Sequence, residues 1–145
     1  MCPFFKQICS SLFICMVSST IIAQENNKLI NSGIVIEEGS RLHDEKKYKE
    51  AIEEYKKVDR SDTNYVNALY ELSYSYYADS QFLKSLECAE LGLKLFPNKY
   101  SMFCMQAANC LDDLNRPDEA ITFYDNGLKK NPNDYLLHFN KGLLN

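Results

Sequence analysis

Apolar and small residues recur along this chain at spacings of three and four, the signature of helices with one buried face. Val35, Gly39 and Leu42 share such a spacing. Tyr48, Ile52, Tyr55 and Val58 follow on one face, with Ala51 alongside, and Leu69, Leu72, Ser73 and Tyr76 repeat the arrangement. The pattern predicts helices over 28–44, 47–59, 64–78, 81–95, 99–114, 117–130 and 134–145. A polar turn separates the second helix from the third at 59–64, and Pro97-Asn98 and Asn131-Pro132 close two later helices. In 117–130 the charges follow the helix dipole. Pro117 suits the first turn, Asp118 and Glu119 its positive end, and Lys129 and Lys130 the negative end.

The pattern also repeats as a whole. Gly39, Ser73, Ala108 and Gly142 form one series of small residues, at steps of 34, 35 and 34. Ala51, Ser85 and Ala120 form a second, and Val58, Gly92 and Gly127 a third. Leu42, Tyr76 and Leu111 are a large apolar series in the same phase. A fixed period of this length predicts an all-α solenoid of stacked, antiparallel helix pairs. Small residues allow the two helices of a pair to approach, so Gly39 is expected against Ala51 and Ala108 against Ala120. Leu42 with Tyr55, and Leu111 with Tyr124, fill the space beside them. The chain holds about three and a half repeats, over 32–65, 66–99 and 101–134 with a partial unit at 135–145. The last helix has no partner helix after it.

The runs Tyr48-Lys-Glu-Ala-Ile-Glu-Glu-Tyr55 and Pro117-Asp-Glu-Ala-Ile-Thr-Phe-Tyr124, with Leu95-Phe-Pro-Asn98 and Lys130-Asn-Pro-Asn133, resemble tetratricopeptide repeats. The resemblance covers about 31–145. Ser85 and Gly92 stand where that family has alanine, Pro117 where it has an aromatic, and Cys104 and His138 where a large aromatic is common. The resemblance implies a right-handed α-solenoid whose inner, concave face is lined by the first helix of each pair and binds a protein or peptide. Tyr70, Tyr74 and Tyr77 lie on the side of their helix opposite the one that meets its partner. The next unit presents Met102, Met105 and Asn109 at equivalent spacing, and the one before presents Ile36, Ser40 and His43. These nine residues are the candidate binding row, Tyr and Met being adaptable contact residues. A bland alternative is that they pack only against neighbouring units. One subgroup of the family clamps a terminal carboxylate with basic residues. The matching positions here are Ile36, Ser40, Glu71, Met102 and Gln106, none of them basic, which argues against that ligand.

Composition narrows the function. Of 145 residues 46% are hydrophobic and 25% charged, with a net charge of −4, so a folded domain is expected. The basic residues are dispersed and no basic block occurs, so the footprint of a nucleic-acid binder is missing. His43 and His138 fall in different units, and neither has a second ligand at metal spacing. His43 reads as an exposed helix residue and His138 as a packing residue. Asp112-Asp113 and Asp118-Glu119 read as solvated helix ends. No phosphate-binding glycine loop and no nucleophile elbow is present. No catalytic, cofactor-binding or metal-binding residue is therefore assigned, and the chain is expected not to be an enzyme.

Residues 1–23 differ from the rest. Lys6 is the one charge, and no charge occurs from Gln7 to Ala23 before polar residues resume at 24–30. This describes a secretory signal peptide, with cleavage expected after Ala23, although Ile21 stands where a small residue is preferred. An uncleaved membrane anchor is the alternative. Cys9 and Cys15 follow isoleucines, which does not suit lipid modification. Beyond the leader, Cys88, Cys104 and Cys110 are read as buried apolar residues rather than a disulfide framework, although a Cys88–Cys104 bridge between neighbouring helices is conceivable. The expectation is an exported scaffold, periplasmic or extracellular, that binds a protein or peptide on its concave face. The other expectation is the N-terminal sensing portion of a longer membrane-bound signalling protein.

Overall fold

The computed structural model describes residues 31–144. They form seven α-helices: α1 Ser32–Asp44, α2 Tyr48–Tyr55, α3 Tyr65–Ala78, α4 Phe82–Leu95, α5 Tyr100–Asp113, α6 Pro117–Lys130 and α7 Tyr135–Leu143. Among the described residues there is no strand. The expected signal peptide and junction, residues 1–30, lie outside these. Helix α2 ends before the expected 59. Lys57 and Val58 donate to Glu54 and Tyr55, three residues back, and the chain then turns. Asp59 and Asp62 hold that turn by accepting the amides of Ser61 and Asn64 at 2.8 and 2.7 Å. Local side-chain acceptors of this kind compete with helix propagation. The extra residue that makes one step 35 falls where a 3₁₀ turn, Pro97–Lys99, joins α4 to α5.

Each pair is closed by the same device. Lys46, Ser80 and Asn115 have φ of 60°, 58° and 58°, and they recur in the phase of the repeat. After α1, the amide of Lys47 bonds Leu42 O at 2.9 Å and that of Lys46 bonds His43 O at 2.8 Å. Gln81 and Ser80 repeat this after α3, as do Arg116 and Asn115 after α5. This is a Schellman end, which needs one left-handed residue. Among these three only asparagine tolerates that conformation well. Ser80→Gly is therefore expected to stabilise the fold by about 0.5–1 kcal/mol, while Asn115→Gly changes less. Urea denaturation of the two variants checks this ranking, and an unchanged midpoint for Ser80→Gly counts against it.

The pairs stack in chain order. Helix α1 packs on α2, α3 on α4 and α5 on α6, while α2–α3, α4–α5 and α6–α7 join successive units. The first helices also meet directly, α1 with α3, α3 with α5 and α5 with α7. Among the described residues the second helices α2, α4 and α6 do not meet one another. First helices that touch while second helices splay lie on the shorter, inner arc. The stack is an α-solenoid with α1, α3, α5 and α7 along its inner face.

The joints between units are matched in size. Val58, Gly92 and Gly127 each meet the first helix of the next unit, where the facing series is Ala68, Phe103 and Leu137. Val58 clusters with Val35 and Ala68 at the first joint. A Cβ at Gly92 would lie 2.3 Å from the Phe103 ring, and one at Gly127 would lie 2.7 Å from Leu137. A medium residue faces a small one at the first joint, and glycine faces a large residue at the next two. Within the first pair, the close approach that Gly39 permits is to the ring of Tyr55, 2.5 Å from a built Cβ, with Ala51 fully buried nearby in sequence. The second pair places Ser73 and Ser85 where the others have Gly39 with Ala51 and Ala108 with Ala120, and all of these sit in the core.

Candidate partner-binding face

Each first helix turns one side to its own partner and the other toward the inner arc. The nine residues expected there meet different fates. Ile36 packs partly against the Val35, Val58 and Ala68 cluster. Ser40 and Asn109 turn to their own pairs, sharing hydrogen bonds of 3.2 and 2.9 Å with the hydroxyls of Tyr55 and Tyr124. Tyr70 lies against the main core and meets Phe103 edge-on, with ring centroids 6.0 Å apart. Tyr77 donates its hydroxyl to Asp113 of the next unit and meets the Phe82 ring at 5.4 Å. Met102 and Met105 are half-buried against the core, and the Asn140 amide reaches the Met105 sulfur at 3.6 Å. Tyr74 stands out at 45% exposed.

His43 is half-buried rather than exposed. Its ring stacks on Tyr74, centroids 5.0 Å apart and planes 19° from parallel, and Tyr48 meets it edge-on at 5.1 Å. Its Nδ1 lies 2.8 Å from Ser75 Oγ. The imidazole thus ties the first unit to the second, and burial holds its pKa below the ordinary value against the opposing pull of Asp44. His138 is the converse. It is exposed, because no described helix pairs with α7, and its Nε2 lies 2.9 Å from Pro132 O. The same opening leaves nothing within 4 Å of a Cβ built at Gly142.

The row is therefore a seam between units as much as a surface. Charge along it is uneven. Helices α3 and α5 carry Glu71, Asp112 and Asp113 and no lysine or arginine. Arg41, the one such cation of α1, is held between Glu38 and Glu45. Glu71 is half-buried, and desolvation followed by repulsion from Asp44 raises its pKa. Among the described residues neither Glu71 nor Asp44 forms an ion pair. The spacing of the tyrosines showed the row, but not this uncompensated charge.

Among the described residues the three cysteines lie within the fold. Cys88, Cys104 and Cys110 carry free thiols, so Cys88 and Cys104 are not bridged. Burial pushes the Cys88 thiol up to about 11 and Cys104 to about 12, which keeps both protonated at neutral pH. Among the described residues no group of three or more His, Cys, Asp or Glu is placed to hold a metal ion. None of their helices is long and apolar enough to cross a membrane.

Comparison with known proteins agrees with this architecture. The tetratricopeptide repeat family profile matches residues 103–134, which fall on the pair α5–α6. Among solved structures, that of MamA is similar in fold, with a TM-score of 0.67 at 18% identity, over 87% of this chain and 71% of that one. No curated protein sequence matches the chain. The third helix pair thus matches the tetratricopeptide repeat profile, and the helix pairs around it are arranged in a similar fold.

Proposed function

We propose that this protein is a non-enzymatic interaction scaffold that binds a protein or peptide along its inner face. The observation that carries the reading is Tyr74. A large aromatic, 45% exposed, sits on the inner arc and is held by stacking on His43, with Tyr70 and Tyr77 partly exposed on the same helix side. Rigid, amphipathic aromatics of this kind anchor partners at low entropic cost. The free carboxylates beside them and the lack of basic clusters speak against nucleic acid. The uncharged stretch from Gln7 to Ala23 supports export, placing the scaffold in a periplasmic or extracellular compartment.

The test compares the wild-type chain with Tyr74→Ala in capture from an envelope or secreted fraction, with melting curves alongside. Loss of a specific captured species with a melting point within a few degrees of wild type is expected, because exposed interface side chains contribute more to affinity than to stability. Unchanged capture by a folded variant would sink the inner-face reading. Mass spectrometry of the mature protein should find its N-terminus near Gln24, and an intact Met1 on cytosolic protein would reject the export reading.

A further inference from the structure

Helices α4 and α5 bring two thiols to one side of their joint. The helices run antiparallel, with Gly92 set against Phe103 at one level and Ser85 against Cys110 at another. Cys110 is fully buried, and its thiol donates to Ser85 Oγ at 3.0 Å. Cys88 lies one turn beyond Ser85 on the same side of α4, half-buried against the core cluster that holds Cys110. It stands between the levels of Ser85 and Gly92, so it is offset from Cys110 by about 4.5 Å along the axis. Small residues at 85 and 92 keep the two backbones close. An axial offset of this size is compatible with the Cα separation of about 4.4–6.8 Å that a disulfide spans. Burial raises the pKa of Cys88 most, followed by Glu87 and then by Cys110 itself, so the two sulfurs stand within range of one another's charge. Cys104 is turned away. Its thiol donates to Phe123 O at 2.6 Å, and it packs at the next joint, 3.0 Å from a Cβ built at Gly127. We propose that Cys88 and Cys110 are a disulfide-forming pair whose bridge locks the second helix pair to the third.

The half-buried Cys88 is the thiol that an oxidant can reach, and the oxidant is a low-molecular-weight or protein disulfide. The Cys88 thiolate attacks one donor sulfur, which forms a mixed disulfide and releases one donor thiol. The Cys110 thiolate then attacks the Cys88 sulfur and releases the second. Two cysteine thiols give up two protons and two electrons, and the donor disulfide takes them up as two thiols. Turning Cys110 toward Cys88 releases its bond to Ser85 Oγ, but that hydroxyl keeps Ser73 O and Gln106 Nε2. The joint thus loses only its weakest polar contact, a thiol being a poor donor. Burial holds both thiols above the ordinary range, so exchange is slow at neutral pH and quickens as pH rises. The bridge needs nothing from the inner face. The exported setting proposed above is where donors of this class keep such pairs oxidised.

The experiment exposes the purified, reduced full chain to oxidised glutathione without denaturant, then quenches by alkylation and digests with trypsin. Mass spectrometry should show the Cys88 peptide joined to the Cys110 peptide, about 2 Da below the sum of the two thiol peptides, and dithiothreitol should separate them. Cys104 shares a tryptic peptide with Cys110, so Cys104→Ser assigns the linked sulfur and should leave the link in place. The initial rate should rise about tenfold per pH unit from about pH 7 to 9. Cys110→Ala should stop at a mixed disulfide on Cys88. The oxidised chain should unfold at a higher urea concentration than the reduced chain, and Cys88→Ser, a change of little volume at a half-buried site, should remove that difference. Separate alkylation of both thiols, a link from Cys88 to any other cysteine or to a second chain, or a bridge that leaves the urea midpoint unmoved overturns the proposal.

Discussion

Gly92→Val is expected to loosen the joint between the second and third helix pairs, and Phe103→Ala in the same chain is expected to restore much of what is lost. A Cβ alone at residue 92 would sit 2.3 Å from Cδ1 and Cε1 of Phe103, far inside contact distance. Phe103 cannot swing away freely. It is fully buried, stacked on Phe96 at 6.4 Å and met edge-on by Tyr70 at 6.0 Å. Overpacking of this kind costs about 1–3 kcal/mol, and the rigid ring places this site at the upper end. Phe103→Ala alone leaves a cavity and costs about 3–5 kcal/mol. Together the two changes rebuild the combination of Val58 and Ala68 that the first joint already uses. The double variant should thus be more stable than the sum of the single losses predicts, by about 1–3 kcal/mol. Urea midpoints of the four chains measure this coupling. Additive losses would mean that the two residues do not share one packing site. Because each unit of a solenoid leans only on its neighbours, a weakened joint here should also let the two halves unfold at separate midpoints.

The helices and their phase were legible because small and large residues recur with the chain's own period. The joints between units were legible only in part. The series Val58, Gly92, Gly127 is plain, but its meaning lies in the facing series Ala68, Phe103, Leu137, which is residue-by-residue complementary and has no constant character to notice. The left-handed turn residues were hidden for a similar reason. Lys46 and Ser80 carry no preference for positive φ, and they adopt it because the carbonyls at the helix end must be satisfied. At the inner face, spacing put Tyr70, Tyr74 and Tyr77 on one stripe. It could not show that Tyr70 is covered by Phe103 and that Tyr77 is engaged by Asp113, because both covers come from the next unit. The two histidines exchanged roles for that reason too. His43 has a following unit to pack against, and His138 has none among the described residues.

The second pair differs from the others in having serines at its crossing, and this leads to a stability effect of comparable size. Ser73 and Ser85 are fully buried and exchange hydrogen bonds, Ser73 Oγ to Ser85 O at 3.0 Å and Ser85 Oγ to Ser73 O at 2.7 Å. Ser85 Oγ also accepts from Gln106 Nε2 at 3.1 Å and from the Cys110 thiol at 3.0 Å, so the network crosses into the third pair. No buried side-chain nitrogen or oxygen among the described residues lacks a partner. Removing the hydroxyl at the centre changes that. Ser85→Ala creates almost no cavity, and alanine is what Ala51 and Ala120 already supply at the equivalent sites. By size alone it should be neutral. By hydrogen bonding it should cost about 1–3 kcal/mol, because the buried Gln106 amide loses its closest acceptor. Adding Gln106→Leu removes the orphaned donor, so the double variant should recover part of the loss. Thr122→Ala, which removes an exposed hydroxyl bonded within its own helix, is the matched control and should change little. If Ser85→Ala melts with Thr122→Ala, the serines at this crossing are only small residues. If it falls well below and Gln106→Leu restores it, the joint between the second and third pairs is held by polar matching as well as by the fit of Gly92 to Phe103.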